Sequence, residues 1–559
     1  MPYRLFVKYF LYLLFIATPI IVYFTFVIKS SVDFPYEDDY QAILDFLISY
    51  NYATTFSSKI ELILAQHNEH RIIFGKLITV LYYKLFGSIN FVNLIILGNI
   101  SLLGIWLIVL KSIKIELNNR RLLAFIPVTI FLFNFRYVDV SCWAMASLQN
   151  IWVILFAFLS LYFLLNDKKQ SISLAVLFAT LATFTSGNGL LTFLTGIIML
   201  ILKKDSRKVI ILFASAFIIN IMGFAIGIHK VGHHPSFFDS LISEPSNLFL
   251  YPLNFIGSLF DISSNICKYL IGAIILSLFF FIFIKKLYKL NYLLGAFLLF
   301  MILTVGIVSV SRFGFGVEQA SASRYMINST LIYIIIGLFF YQQLHVIISE
   351  RLFTIAFSVI VFVSIVFSFN SYKQNFYRFI YAKQEQHNLS LINKGICAKI
   401  DYHFPGIDDT PAEKILIESN KLGIYKINLT NFLTTINIQN YRKDTEHTQY
   451  IIDNFRPIND STYTISGWIF IKNQPSFSST VYIEIEDSLS NSFIEYPNYS
   501  FRSDVTEAYA SDNCDYSMSG FYKEIKTSRY PKGSYQLSLL IMSDSISAYK
   551  VPINKVLKK

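Results

Sequence analysis

Three consecutive carboxylates, Glu37-Asp38-Asp39, follow the first long apolar run of the chain by a few residues. Adjacent carboxylates in a partly desolvated place repel one another, and one of them keeps its proton to higher pH. Such a group can abstract a proton from a hydroxyl or bind a divalent cation. The plain structural alternative is a solvated helix cap. If the apolar run crosses a bilayer, these acids stand at its exit, within reach of a lipid-borne substrate.

A second group is Gln66-His67-Asn68-Glu69-His70-Arg71. On a helix, His67 and His70 would share a face with Glu69 beside them. His-x-x-His alone lacks the third ligand of a metal site, so hydrogen bonding to a polar substrate or to a lipid phosphate fits better. A polar interfacial turn accounts for the same residues equally well. His233-His234 is a weaker pair of the same kind.

The third group lies late in the chain, from Ser311-Arg312 to Ser323-Arg324-Tyr325. Arg324 opens an apolar run. A helix start offers free N–H groups and a positive dipole end, to which Arg adds a bidentate donor, so the segment can cradle a lipid-linked phosphate. The competing account is snorkelling toward phospholipid headgroups. Arg136, Tyr137, Asp139, Trp143, Gln149 and Asn150 ring another loop. Aromatics at a membrane boundary are usually anchors, which gives this set a supporting role.

The elements that position these groups follow from composition. Of 559 residues, 54% are hydrophobic and only 15% charged, against about 25% charged in soluble domains. Mean hydropathy is +0.51. No water-soluble fold covers that much apolar surface, so the chain reads as an integral membrane protein. The net charge of +11 does not point to nucleic acid, because the Lys and Arg residues cluster in short loops between apolar runs.

Spans of about 20 residues are expected near 8–28, 91–110, 122–138, 150–165, 171–186, 189–202, 209–228, 266–284, 291–311, 325–343 and 352–370, about eleven in all. Thr185-Ser186-Gly187-Asn188-Gly189 breaks the 171–202 stretch into a hairpin. Lys and Arg recur in alternate loops: Arg4 and Lys8, then Lys111 to Arg121, Lys168-Lys169, Lys203 to Lys208, Lys285 to Lys289, and Arg351. By the positive-inside rule the N-terminus is cytoplasmic and the C-terminal region lies outside. The acidic trio and the 136–149, 229–262 and 312–324 loops then also lie outside. The first run, Tyr9 to Ile28, lacks a small-x-small cleavage site and reads as an uncleaved signal anchor.

Between the first two spans, Tyr40 to Ile48 and Arg71 to Phe86 suit amphipathic helices on the outer membrane surface, the first capped by Asp38 or Asp39. Residues 1–370 form the membrane domain, with 30–90 as its first external loop, and 371–450 a mixed helical linker. Residues 451–559 alternate in strand fashion at Tyr463–Ile471, Thr480–Glu486 and Tyr535–Ile541, which indicates an all-β sandwich. The four cysteines are too few for a disulfide scaffold. Cys397 and Cys514 can pair in an oxidising compartment or remain thiols.

With these pieces in place, the chain resembles the GT-C class of membrane glycosyltransferases, more narrowly the bacterial group related to O-antigen glucosyltransferases. Glu37-Asp38-Asp39-Tyr40 stands where that class keeps an acidic motif in its first external loop. His67-Asn68-Glu69-His70-Arg71, the helix after it and Phe86-Gly87 match the continuation of that loop. Ala322-Ser323-Arg324-Tyr325 resembles a late-span motif of the narrower group. The resemblance implies a bacterial inner-membrane enzyme of lipopolysaccharide assembly, a polyprenyl-phosphate sugar donor, and an extracytoplasmic glycan or lipid-linked acceptor. It also implies an inverting hexosyl transfer with a catalytic acid group, carried by position to Asp38, with Asp39 second and Glu37 beside them. His67, Glu69, His70, Arg71, Arg312, Arg324 and Tyr325 would bind substrate. No cofactor is implied beyond a possible divalent cation. The chain departs from some relatives in having no Lys-Pro-Pro after His70, which counts against the lipid A aminosugar branch. Gly467-Trp468, Arg502 to Val505 and Gly520-Phe521 look like β-sandwich modules of sugar-transfer proteins, although packing explains them as well.

A transporter or flippase of lipid-linked glycans is the rival. It would place ionisable residues inside several spans, whereas here the span centres are nearly free of charge. An O-antigen polymerase is the second rival. It usually carries its large loop late in the chain, and here the long loop comes first.

Overall fold

The computed structural model describes residues 2–113, 119–166, 171–229, 235–347, 349–393, 410–427, 442–443, 446–459, 461–489, 491–543 and 548–559. Cys397 and the His233-His234 pair lie outside them. The chain divides into two compact units: Met1–Ile28 with Pro35–Asn375, and Lys29–Phe34 with Phe376–Lys559.

The first unit is helical. Its opening helix α1 (Pro2–Ser30) is followed by a π-helical turn, Tyr40–Asp45, that runs into α2 (Phe46–Tyr52). Then come α3 (Phe56–Leu64), α4 (Ile73–Phe86), α5 (Phe91–Lys111) and α6 (Asn119–Leu132), and the short α7 (Val138–Ser141) and α8 (Ala144–Asn150). Next are α9 (Trp152–Leu165), α10 (Ile172–Thr183), α11 (Leu191–Lys203) and α12 (Arg207–Ala225). The unit closes with α13 (Phe237–Ser243), α14 (Pro245–Gly257), α15 (Asn265–Ile284), α16 (Tyr292–Arg312), α17 (Met326–Ile347) and α18 (Glu350–Gln374).

Among the described residues, eight helical stretches are long and apolar enough to cross a membrane. They coincide with eight of the expected spans. The other three, near 122–138, 171–186 and 189–202, fall on helices of 14, 12 and 13 residues. At 1.5 Å per residue these rise about 18–21 Å, short of a hydrocarbon core of about 30 Å. The expected break between α10 and α11 is present, and Gly189 is the reason it packs: a Cβ there would lie 2.1 Å from the Ala182 carbonyl. Only 11% of the α12 span is buried. Its apolar face (Ile211, Ile218, Met222) is left for lipid to cover.

Small residues set the closest helix crossing. A Cβ on Gly257 would meet the Lys268 carbonyl at 1.8 Å, and one on Gly272 the Leu253 carbonyl at 2.1 Å. Helices α14 and α15 therefore touch backbone to backbone, as glycines allow in membrane helices. Gly272→Val should lower thermal stability by about 1–3 kcal/mol through overpacking. Gly306→Ala on α16, where a Cβ meets nothing within 4 Å, should be neutral or raise it by about 0.5–1 kcal/mol. Equal melting temperatures for the two variants would remove the close crossing.

The first-loop helices differ from expectation in one respect. In the turn and helix from Tyr40 to Ile48, the apolar side chains Tyr40, Ala42, Ile43, Leu44, Phe46, Leu47 and Ile48 are buried inside the unit, and only Gln41 and Asp45 are exposed. This helix therefore turns its apolar face inward instead of lying on a membrane surface. Helix α4 keeps an exposed apolar stripe.

The second unit holds α19 (Phe376–Asn393), α20 (Thr410–Lys421) and the β-domain with its small helix α21 (Ser503–Ala508). The expected 371–450 linker is thus drawn into the C-terminal unit from Phe376 onward. Gln384 on α19 donates to the Ser479 carbonyl at 2.7 Å, and Thr480 donates to Asn388 at 2.6 Å. The strands are β1 (Arg442–Lys443), β2 (Thr448–Asn459), β3 (Thr462–Ile471), β4 (Thr480–Glu486) and β5 (Ser492–Glu495), then β6 (Asn498–Ser500), β7 (Gly520–Lys526), β8 (Ser534–Met542) and β9 (Ala548–Lys558). They form two sheets, ordered β1-β9-β8-β4-β5 and β2-β3-β7-β6, antiparallel except for the β1–β9 pair. Alternate residues of both sheets (Ile465, Ile469, Ile483, Leu539, Phe521) share one core, the inward face that period-two patterning predicts. Trp468 stacks on Phe470 beneath Val505 and Tyr516, and Arg502 pairs with Asp453 and Asp504. Packing thus accounts for these signature-like residues of the β-domain.

Candidate functional site

The acidic trio does not act as one group. Asp39 is 1% exposed. One of its carboxylate oxygens accepts the Met145 amide at 2.8 Å and the other the Tyr36 amide at 3.2 Å. Its side chain makes no bond to the helix that follows, so the expected N-cap is replaced by a tie from the first loop to the start of α8. Burial pushes this carboxyl up to about 8, against the opposing pull of those two amides. Asp38 remains partly exposed beside it. Glu37 sits at φ +48°, a left-handed backbone that a non-glycine residue adopts only when held there. Its carboxyl is raised by burial and then by Asp38, and Arg324 draws it back down.

Asp39 makes a prediction of its own. A carboxyl raised in the folded chain favours the protonated state. Its contribution to stability is complete at acid pH and is lost as pH climbs from about 4, the ordinary aspartate value, toward 8. Local opening at the start of α8 should therefore become easier between pH 5 and pH 8, by up to about 1.4 kcal/mol per pH unit. Hydrogen exchange at the Met145 amide reads this, and Asp39→Asn should flatten the slope. A flat profile in the unaltered chain would contradict the burial.

Arg324 lies one turn before α17, in the bend Ser323–Tyr325. Its guanidinium stands over the Tyr325 ring at 5.2 Å. Glu37, Asp139, Tyr251 and Tyr325 all lie within its electrostatic reach. Asp139 is placed by α7, whose own amide at Asp139 donates to the Ser323 hydroxyl at 2.9 Å. Tyr325 stacks on Phe255 at 5.1 Å. The loop before it is clamped to α14: Asn254 donates to the Val317 carbonyl at 2.7 Å, Ser258 and Ser321 share a hydrogen bond at 2.8 Å, and Tyr251 donates to Gln319 at 3.3 Å. Gly316, at φ +92°, permits the sharp reversal in that loop.

The His67–Arg71 segment forms a tight hairpin turn. The backbones of His67 and His70 exchange hydrogen bonds of 2.8 and 2.9 Å, with Asn68 at φ +46° between them. Of the two alternatives the sequence leaves open, the segment is the turn and not the helix, because a left-handed Asn68 cannot continue a helix. Glu69 at the tip forms an ion pair with Arg312 from the end of α16, and His70 lies 3.6 Å from the same carboxylate. Burial and neighbouring Lys76 bring His67 down to about 4, so this imidazole is neutral. Arg71 is committed to structure: its guanidinium donates to the carbonyls of Leu64, Phe224 and Ile226. Arg136, of the supporting set, is likewise tied down, to Asp261 at 2.8 Å and to the Ser258 and Leu259 carbonyls.

The residues thus fall into two groups: Glu37, Asp38, Asp139 and Arg324 in one, and Glu69, His70 and Arg312 in the other. Tyr251 joins them, since it lies within electrostatic reach of both Arg324 and Arg312. Sequence reasoning missed this tyrosine. It sits in an apolar stretch of a chain with 36 tyrosines, and only the fold of α14 singles it out. Among the described residues no three His, Cys, Asp or Glu side chains gather as a metal ion requires; here the acids are set around an arginine.

An apolar groove of about 280 Å³ runs between α6, α17 and α18, lined by Phe131, Phe260, Tyr333, Leu338, Phe357 and Val363 among others. Phe260 of its lining follows two residues after Ser258, which shares a hydrogen bond with Ser321 of the loop before Arg324. A comparison with protein-family models, with curated proteins and with solved structures finds no match to this chain.

Proposed function

We propose that the chain is a membrane glycosyltransferase of the GT-C kind, transferring a sugar from a polyprenyl-phosphate donor to a hydroxyl of a glycan or lipid-linked acceptor on the non-cytoplasmic side. What carries the reading is the joining of first-loop acids and a late-loop guanidinium: Glu37 and Asp38 on one side, Arg324 and Asp139 on the other. Acids beside an arginine suit a reaction that removes a proton from one oxygen and leaves negative charge on another.

In this reading Asp38 is the base. It is partly exposed, while the oxygens of Asp39 are occupied by amides in a sealed site. Asp38 takes the acceptor proton as the hydroxyl oxygen attacks the anomeric carbon, the bond to the phosphate oxygen breaks, and configuration inverts. Arg324 stabilises the departing phosphate. Arg312 reaches the same charge by exchanging Glu69 for it, with His70 and Tyr325 lining the way. The lipid tail of the donor occupies the groove below Phe260, which offers an isoprenoid apolar walls and almost no polar groups. Asp39 and Arg71 hold the loop and touch no substrate. A flippase is disfavoured by the placement of charge, because the site acids and Arg324 sit outside or at the ends of the apolar stretches.

The full chain, purified into lipid nanodiscs and given radiolabelled polyprenyl-phosphate hexoses with candidate glycans, should move label to an acceptor. If every donor stays intact while vesicles carrying the chain translocate a lipid-linked glycan, the transfer reading fails and the transporter reading replaces it.

A further inference from the structure

Helices α3 and α4 form an antiparallel hairpin. Lys76 near the start of α4 donates to the Leu62 and Ala65 carbonyls at the end of α3, both at 2.8 Å. At the other end of the hairpin, Lys59 of α3 and Lys84 of α4 converge on one ring, Tyr50, at 5.1 and 5.9 Å from its centroid. Neither lysine forms an ion pair among the described residues; the nearby acid of α3, Glu61, accepts a hydrogen bond from Ser57 instead. Two like charges gathered around one ring repel, and that repulsion is relieved when an anion binds.

The same hairpin leaves two apolar stripes uncovered. Phe56, Ile60 and Leu64 recur every four residues along α3, and Leu77, Leu81 and Leu85 do so along α4, all of them exposed. That spacing sets an exposed apolar stripe along each helix, with Lys59 next to Ile60 in one and Lys84 next to Leu85 in the other. Chain geometry fixes what these stripes meet. Helix α4 ends at Phe86, turns at Gly87 (φ +76°), and α5, a stretch long and apolar enough to cross a membrane, begins at Phe91. Four connecting residues span at most about 14 Å, so Lys84 is held at the level where α5 enters the bilayer. That favours lipid over a protein partner.

We propose that the Lys59–Tyr50–Lys84 corner is a headgroup site for one anionic phospholipid, whose acyl chains lie along the α3–α4 stripes. This is a site separate from the groove and from the Arg324 cluster, sharing no residue with either, and it stands whether or not the chain transfers sugar. The lysine stems cover apolar surface while their ammonium groups take the phosphate, and the tyrosine face holds both ammonium groups in place.

The full-length protein, purified in detergent, can be titrated with phosphatidylglycerol and with phosphatidylcholine and read by native mass spectrometry. The unaltered chain should hold one phosphatidylglycerol in clear preference to phosphatidylcholine. The double variant Lys59→Gln with Lys84→Gln should bind it about tenfold more weakly or worse, and Lys59→Arg with Lys84→Arg should restore it. Soluble glycerol phosphate should not compete, since it lacks the chains that fill the stripes. Equal binding of the two lipids, an unchanged affinity in the double Gln variant, competition by glycerol phosphate, or a lipid-independent dimer closing over Phe56 and Leu81 would each overturn the proposal.

Discussion

Asp38→Asn should lower sugar transfer by about a thousandfold, within the 10²–10⁴ range of a positioned general base, with membrane insertion and melting temperature unchanged. Asp39→Asn should do the reverse. Its amide group must face either the Met145 or the Tyr36 N–H, both of which now donate to a carboxylate oxygen. One buried donor then loses its acceptor, at a cost of about 1–3 kcal/mol. Lower yield of folded protein, with near-normal turnover per folded molecule, is the expected result. Quantitative transfer assays normalised to folded protein separate the two. Loss of turnover in Asp39→Asn with full stability, beside normal turnover in Asp38→Asn, would exchange the roles assigned here.

Arg324→Ala should reduce transfer by about 10²–10³-fold, the usual loss when one preorganised donor to developing charge is removed. Arg324→Lys should recover little, because an ammonium lacks the planar fork that grips two phosphate oxygens at once. A second readout separates this role from a packing role. Arg324 now draws the Glu37 carboxyl down. Its removal should move the Glu37 titration to higher pH, which a side-chain-resolved NMR titration reads. Arg312→Ala should cost less, since Arg312 is held by Glu69 in the unliganded chain. An unshifted Glu37 titration in Arg324→Ala would uncouple that guanidinium from the acidic loop.

Much of this was legible in the sequence, and the parts that were not share a cause. Three carboxylates in a chain with 15% charged residues stand out by composition as a candidate site, with a helix cap as the alternative. Which of them faces solvent depends on the Met145 amide, 106 residues away, and no local pattern carries that. The spacing of His67 and His70 left a helix and a polar turn open; the left-handed backbone at Asn68 makes it the turn and sends Glu69 to Arg312, 243 residues on. Arg71 and Arg324 are alike as residue types, yet one is consumed by three backbone carbonyls and the other is set among acids and tyrosines. The long spans follow from hydropathy, and α10 and α11 fall short where the Thr185–Gly189 cluster ends a helix. In the β-domain, period-two alternation marked the strands at Tyr463–Ile471, Thr480–Glu486 and Tyr535–Ile541, and the structure buries Ile465, Ile483 and Leu539 of them in the core. That α19 belongs with that domain rests on side-chain bonds such as Gln384 to Ser479, which leave no periodic trace.

The central claim is that the acidic loop and the late arginine meet at one place on the non-cytoplasmic face. The most direct measurement replaces the four native cysteines, introduces Asp38→Cys and Arg324→Cys singly and together, and treats intact cells with a membrane-impermeant maleimide and then with a short bis-maleimide. Both single variants should be labelled from outside, and the double variant should form an intramolecular bridge. Labelling of the two positions from opposite sides of the membrane, or labelling of both from outside with no bridge, would contradict the account.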